Sequence, residues 1–123
     1  MLTANISIAQ RVEDLQEYIK TGRIMEAMTE FYAPNVSMQE NSDPPTVGLA
    51  FNIEREKQFM AQVKTWVGYE VRSVSVGKDC SAVESAVDFV NQQDQKIHME
   101  QVAIERWRDG KIVSERFYYN TAH

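Results

Sequence analysis

Gln101-Val102-Ala103-Ile104-Glu105-Arg106-Trp107-Arg108-Asp109-Gly110-Lys111-Ile112-Val113-Ser114-Glu115-Arg116-Phe117-Tyr118-Tyr119 is the stretch whose reading decides the fold. It predicts two strands joined by Asp109-Gly110, a pair that accepts positive φ at both central positions and closes a tight hairpin. Counting outward from that turn sets Trp107 opposite Ile112, Arg106 opposite Val113, Ile104 opposite Glu115, Val102 opposite Phe117 and Glu100 opposite Tyr119. One face then carries Val102, Ile104, Val113 and Phe117, with Glu100, Glu115 and Tyr119 among them. Carboxylates on an otherwise apolar face direct the search for function.

Upstream of this hairpin the periodicity is helical at first. Ile8, Val12, Leu15 and Ile19 recur at helical steps over Ile6 to Thr21, and Gly22 stops the run. A second helix is expected over Arg23 to Tyr32, ended by Pro34, which disfavours helix at Ala33. Val36 to Glu40 alternates as a short strand, and Asn41-Ser42-Asp43-Pro44-Pro45 has turn chemistry. A third helix is expected over Asn52 to Trp66, with Asn52 as its N-cap. Beyond Gly68, four strands of an antiparallel meander are predicted at Tyr69–Val76, Ser81–Asn91, Lys96–Trp107 and Lys111–Asn120. An even-numbered loop at Gln93-Asp94 sets Phe89 opposite His98, Val87 opposite Glu100 and Val83 opposite Ile104; an odd loop flips that pairing. Three helices followed by a long antiparallel sheet make an α+β domain, with the helices on one sheet face.

Composition excludes several classes. A chain of 123 residues fits a single domain, residues 1–123, and supports a core without disulfides or metals. The net charge of −5, with Lys and Arg scattered, argues against nucleic acid and against an anionic membrane surface. No apolar run approaches the ~20 residues of a membrane span, and the first residues lack signal-peptide character. A single cysteine, Cys80, makes a cytoplasmic location the expectation. Gly-rich phosphate loops, Cys or His pairs at metal-ligand spacing and a Gly-x-Ser-x-Gly elbow are absent, so neither metal nor cofactor is expected. His98 and His123 are the two histidines. The sheet face away from the helices is expected to hold Ala86, Val90, Ile97, Met99, Ala103, Trp107, Ile112 and Tyr118 with Glu84, Asp88, Glu105 and Arg116, too apolar for water. A homodimer through that outer sheet face is the expected remedy.

Helix two ending in Phe31-Tyr32-Ala33-Pro34-Asn35-Val36, Gly48 before helix three, and the hairpin Trp107-Arg108-Asp109-Gly110-Lys111-Ile112-Val113 carry a resemblance. Over roughly residues 6–120 the chain resembles the SnoaL-like (polyketide cyclase-like) branch of the nuclear transport factor 2-like superfamily. The resemblance implies a cystatin-like cone, in which a strongly bent antiparallel sheet wraps three N-terminal helices and leaves a pocket open at one end. It also implies dimerisation through the outer sheet face, and either cofactor-free chemistry (isomerisation, cyclisation, dehydration) or ligand binding alone. In several SnoaL-like sequences the last strand carries a His and an Asp, two residues apart. Counting from Gly110, this chain has Glu115 and Phe117 there, so the cyclase's carboxylate is missing and Glu100 or Glu115 is its substitute.

The candidate site residues follow. Glu100 and Glu115 on an apolar concave face are candidate proton carriers; a structural ion pair with Arg72 or Arg106 is the plainer reading. His98 is a candidate acid or base, against a solvent-facing strand-end residue. Tyr32 and Tyr119 are candidate donors to a ligand carbonyl, against ring packing with a hydroxyl at the rim. Glu40 sits where the resemblance puts a pocket mouth. Met38, Phe59, Val102 and Phe117 are expected to wall the cavity, with Met25, Met28, Met60 and Trp66 lining or plugging it. The ligand expected is a small, largely apolar organic molecule, either turned over or merely bound.

Overall fold

The computed structural model describes residues 7–120; the expected helix start at Ile6, and His123, lie outside them. Helix α1 (Ile8–Lys20) is capped by Ser7, whose hydroxyl accepts the Gln10 N–H at 3.1 Å. It buries Val12 and Leu15, and the chain turns away at Gly22 with φ 78°. Helix α2 (Ile24–Phe31) turns Ala27, Met28 and Phe31 into the same core. Strand β1 (Tyr32–Glu40) follows at once, longer than the expected Val36 start; Pro34 explains why the helix stops at Phe31.

After β2 (Thr46–Val47) comes helix α3 (Leu49–Ala61), which corrects the expected span of Asn52 to Trp66 at both ends. Gly48, at φ 104°, precedes its first turn. Asn52 is not the N-cap but lies one turn in, 1% exposed, its amide donating to the carbonyls of Thr46 (3.0 Å) and Gly48 (2.9 Å). Trp66 belongs instead to β3 (Val63–Val76), because Val63-Lys64-Thr65-Trp66-Val67 is β-branched and aromatic.

With β4 (Cys80–Asn91), β5 (Lys96–Arg108) and β6 (Lys111–Tyr119), these strands form one six-stranded sheet in the order β2-β1-β6-β5-β4-β3. The meander β3 to β6 is antiparallel, as expected, but β1 lies parallel to β6, so the sheet is mixed. Three register shifts against β4 leave extra residues in β3, and another falls between β5 and β6. Such bulges bend and twist a strand, and they curl the sheet round the helices. Arg11, 5% exposed, locks α1 across the hairpin: its guanidinium donates to the carbonyls of Gly110 (3.0 Å) and Glu30 (2.9 Å) and pairs with the Glu30 carboxylate.

Two one-residue differences from the expected register decide which side chains face inward. The β4–β5 loop is odd: Asn91 N–H bonds the Gln95 carbonyl at 2.9 Å, Asp94 N–H bonds the Asn91 carbonyl at 3.0 Å, and Asp94 adopts φ 62°. That is a three-residue hairpin with a left-handed last residue. It pairs Phe89 with Ile97, Val87 with Met99 and Val83 with Ala103. The Asp109-Gly110 turn forms as expected, with φ 52° and 78°, and Trp107 pairs with Ile112. Immediately beyond it, Val113 is an extra residue, so Arg106 pairs with Ser114 and Glu105 with Glu115. The expected inward faces of β4 (Val83, Val87, Phe89) and of β6 (Glu115, Phe117, Tyr119) hold, while β5 between them is inverted. Met99, Ala103, Trp107 and Ile112, with Ile97 beside Phe89, therefore lie on the helix side, while the outer face keeps Ala86, Val90 and Tyr118 of the apolar residues from which the homodimer was argued and gains Val102 and Ile104. Among the described residues no helix is long and apolar enough to cross a membrane.

Candidate functional site

Between the helices and the concave sheet face lies a cavity of about 210 Å³. Met28 from α2, Phe59 from α3, Met38 from β1, Val83 and Val87 from β4 and Phe117 from β6 give it an apolar wall. Into that wall the β5–β6 bulge turns two facing carboxyls, Glu105 and Glu115, each 2% exposed. Tyr32, at the start of β1, donates its hydroxyl proton to Glu115 Oε1 at 2.6 Å. Ser81 on β4 donates to Glu105 Oε1 at 2.7 Å and itself receives the Trp107 indole N–H at 2.9 Å. The two carboxyls occupy directly paired positions of β5 and β6 and act on one another's protonation, an arrangement of like charges that favours keeping a proton on the pair.

Burial is the first cause of their electrostatics. It raises Glu115 well above the usual carboxylate range, and the neighbouring Glu105 charge raises it further, against the opposing hydrogen bond from Tyr32. Burial raises Glu105 too, while hydrogen bonds from Glu115 and Ser81 work the other way. Both carboxyls are therefore raised by burial, and the pair titrates as a unit that keeps a proton where a solvated carboxyl has lost its own. Tyr32 is pushed well up by burial and then by the Glu115 charge, so its hydroxyl stays a donor.

At the rim, Glu40 pairs with Arg55 at 2.7 Å and accepts the Tyr119 hydroxyl proton. Burial, followed by the Glu40 contact, raises Tyr119 to about 12. Glu56, one residue on from Arg55 along α3, lines the cavity without a side-chain hydrogen bond or ion pair among the described residues. Burial raises its carboxyl, Arg55 opposes that, and Glu40 adds to it.

Of the expected site residues, the structure brings together Glu115, Tyr32, Met38, Glu40, Phe59, Phe117 and Tyr119 around this cavity. Met28 and Trp66 line it as well, whereas Met25 and Met60 are not among its walls. Glu100, His98 and Val102 do not reach it, which corrects their placement; the inverted β5 is the reason. Glu100 is 58% exposed on the outer face, where it meets Arg72 at 3.2 Å and His98 at 2.9 Å. His98 stands between Glu100 and Asp88, and hydrogen bonds to these two carboxylates raise its pKa. Hydrogen bonds from His98 and Arg72 lower that of Glu100. This is the ion pair with Arg72 that the plainer reading of Glu100 foresaw.

Glu105, Ser81 and Glu56 were missed in the sequence. Glu105 follows from the same hairpin once Val113 is allowed to bulge. For Glu56 the signal was its four-residue spacing from Asn52, a buried position on the same helix.

A family model described as a SnoaL-like domain matches residues 3–119. A solved Mesorhizobium loti protein, described as a candidate SnoaL-like polyketide cyclase, superposes with a TM-score of 0.68 at 24% identity, covering 93% of this chain and 100% of that one. A candidate isomerase from Bacillus subtilis gives a TM-score of 0.76 at 18% identity, covering 91% and 85% of the two chains. A protein of unknown function from Burkholderia pseudomallei, described as NTF2-like, gives 0.79 at 12%, covering 91% and 89%. At these identities the likeness is one of fold. No curated protein matches the chain.

Proposed function

The chain belongs to the SnoaL-like family, and from that premise we propose that its cavity takes a small, largely apolar organic carbonyl compound and moves a proton on it without a cofactor. The observation that carries this reading is the Glu105–Glu115 pair, two facing buried carboxyls at the wall of an apolar cavity, both raised by burial. Such a pair presents an acid and a base side by side over a wide pH range. The ionised member of the pair takes a proton from the carbon next to the carbonyl as the protonated member delivers its own to the carbonyl oxygen, forming an enol. Return of a proton at a different carbon gives isomerisation, and departure of a β-hydroxyl as water gives dehydration. Tyr32, bonded to Glu115, stabilises that carboxyl once it is ionised.

Size narrows the occupant. A cavity of about 210 Å³ exceeds the ~150 Å³ that admits benzene and falls below the ~300–1,000 Å³ of drug-sized pockets. A single ring with short substituents fits. The test follows deuterium uptake into the ring carbons of 2-cyclohexenone in D2O by NMR. The protein is expected to accelerate uptake, and Glu115→Gln or Glu105→Gln to remove about 10²-fold or more of the acceleration. Uptake at the buffer rate with the unaltered protein sinks the catalytic reading.

A second reading is a binding module without turnover. It is favoured by the closed set of hydrogen bonds around the pair, in which Tyr32 and Ser81 already satisfy both carboxyls. Saturation transfer from the protein to the ketone, with no deuterium uptake, is its signature.

A further inference from the structure

The cavity wall carries four carboxyls, Glu40, Glu56, Glu105 and Glu115, and a single basic group, Arg55. Arg55 is already committed: it pairs with Glu40 at 2.7 Å and donates to the Asn52 amide oxygen at 3.3 Å. The other titratable groups on the wall are Tyr32, Tyr69 and Tyr119, all held protonated by burial. Three acids thus share one apolar enclosure with no cation bonded to them, and Glu56, which feels Arg55 only at a distance, has no hydrogen bond or ion pair among the described residues. Buried charges are stable when paired, so an acidic enclosure of this kind lacks a positive charge. The rings of Tyr32, Phe59, Trp66, Tyr69, Phe117 and Tyr119 line the same space, and aromatic faces attract cations.

We propose that the occupant is a small organic cation: a protonated amine on a one-ring apolar body, its ammonium held by Glu56 with the Glu105–Glu115 pair beside it. This rests on the reading of the cavity as a ligand site and names the charge of what enters it. An anion meets four carboxyls and one occupied guanidinium, and is excluded. A neutral molecule leaves Glu56 without a counter-charge. A cation lets Glu56 ionise, and its entry expels a proton from the cavity into solution.

The experiment is calorimetric titration of the full chain at neutral pH with three isosteric probes: benzylamine, benzyl alcohol and benzoate. Benzylamine is expected to bind about tenfold tighter than benzyl alcohol, and benzoate not at all. Its heat is expected to vary with the ionisation enthalpy of the buffer, the mark of proton release. Glu56→Gln is expected to cut the advantage of the amine over benzyl alcohol to within about twofold. Benzyl alcohol or benzoate binding as tightly as the amine overturns the proposal and leaves the ligand site standing, as does an amine preference untouched by Glu56→Gln without proton release. Failure of all three probes to bind removes the ligand site itself.

Discussion

At Glu115, burial favours the neutral acid and the Tyr32 hydrogen bond favours the anion. Burial is the larger effect, so the folded protein holds this proton more tightly than the unfolded chain, whose carboxyl ionises near 4.5. The sign of the linkage follows. Stability from this group is fully present below that value and is lost as pH rises through the raised folded pKa. Glu105 and Glu56 are shifted the same way by burial. Unfolding by denaturant is therefore expected to become easier as pH rises above about 5, with a slope of up to about 1.4 kcal/mol per pH unit for each proton involved. Glu115→Gln keeps the side chain's shape and removes its titration, so its stability should fall less steeply over that range. Parallel curves for the two proteins would show that the pair keeps no such proton.

The elements explain why one acid was legible and the other was not. Each strand's alternation is readable in sequence, and β4 and β6 face as their patterns say. What joins the strands is not readable to the residue. Asp94 takes a left-handed conformation and makes the β4–β5 loop odd, while Val113 bulges beside a turn that otherwise forms as its Asp-Gly pair dictates. Each event shifts register by one residue, and together they invert β5 alone, which exchanges Glu100 for Glu105 at the site. Neither event has a composition signal, because Asp, Gln and Val are unremarkable at those positions. The rim was easier, since Tyr32, Glu40 and Tyr119 follow from where helix two and the last strand end. Helix three is the other lesson. Asn52 has the chemistry of a cap but serves as an internal brace, its amide satisfying the carbonyls of Thr46 and Gly48. Asn52→Ala removes the side-chain bond to the Thr46 carbonyl, while the Gly48 carbonyl keeps the backbone N–H of residue 52 at 3.1 Å, so the cost is the ~1–3 kcal/mol of one group left unsatisfied. A loss of about 1–3 kcal/mol in denaturant unfolding is expected; a loss under about 0.5 kcal/mol, the range of ordinary surface changes, would mean that α3 and the β1–β2 loop hold together without it.

On the scale of the whole molecule, the bulged sheet curls round three helices without filling the space between. A core of this kind ordinarily closes to crystal-like packing density, yet about 210 Å³ remains against a wall that includes Glu56, Glu105 and Glu115. Retained space and buried acids both cost stability, which is the pattern of a site kept for function. Ala103 tests this. It sits on β5, 6% exposed, paired with Val83 on one side and Phe117 on the other, and its methyl faces the cavity. Ala103→Leu extends apolar carbons into that space at ~0.8 kcal/mol per buried methylene, less the cost of fixing the new rotamer. A gain of about 1 kcal/mol in unfolding free energy is expected, together with loss of binding of one-ring ligands, because the same volume is no longer there to hold them. If instead the leucine destabilises the protein by the ~1–3 kcal/mol of an overpacked core, the space beside Ala103 is already filled, and the cavity does not reach the carboxyl pair from that side.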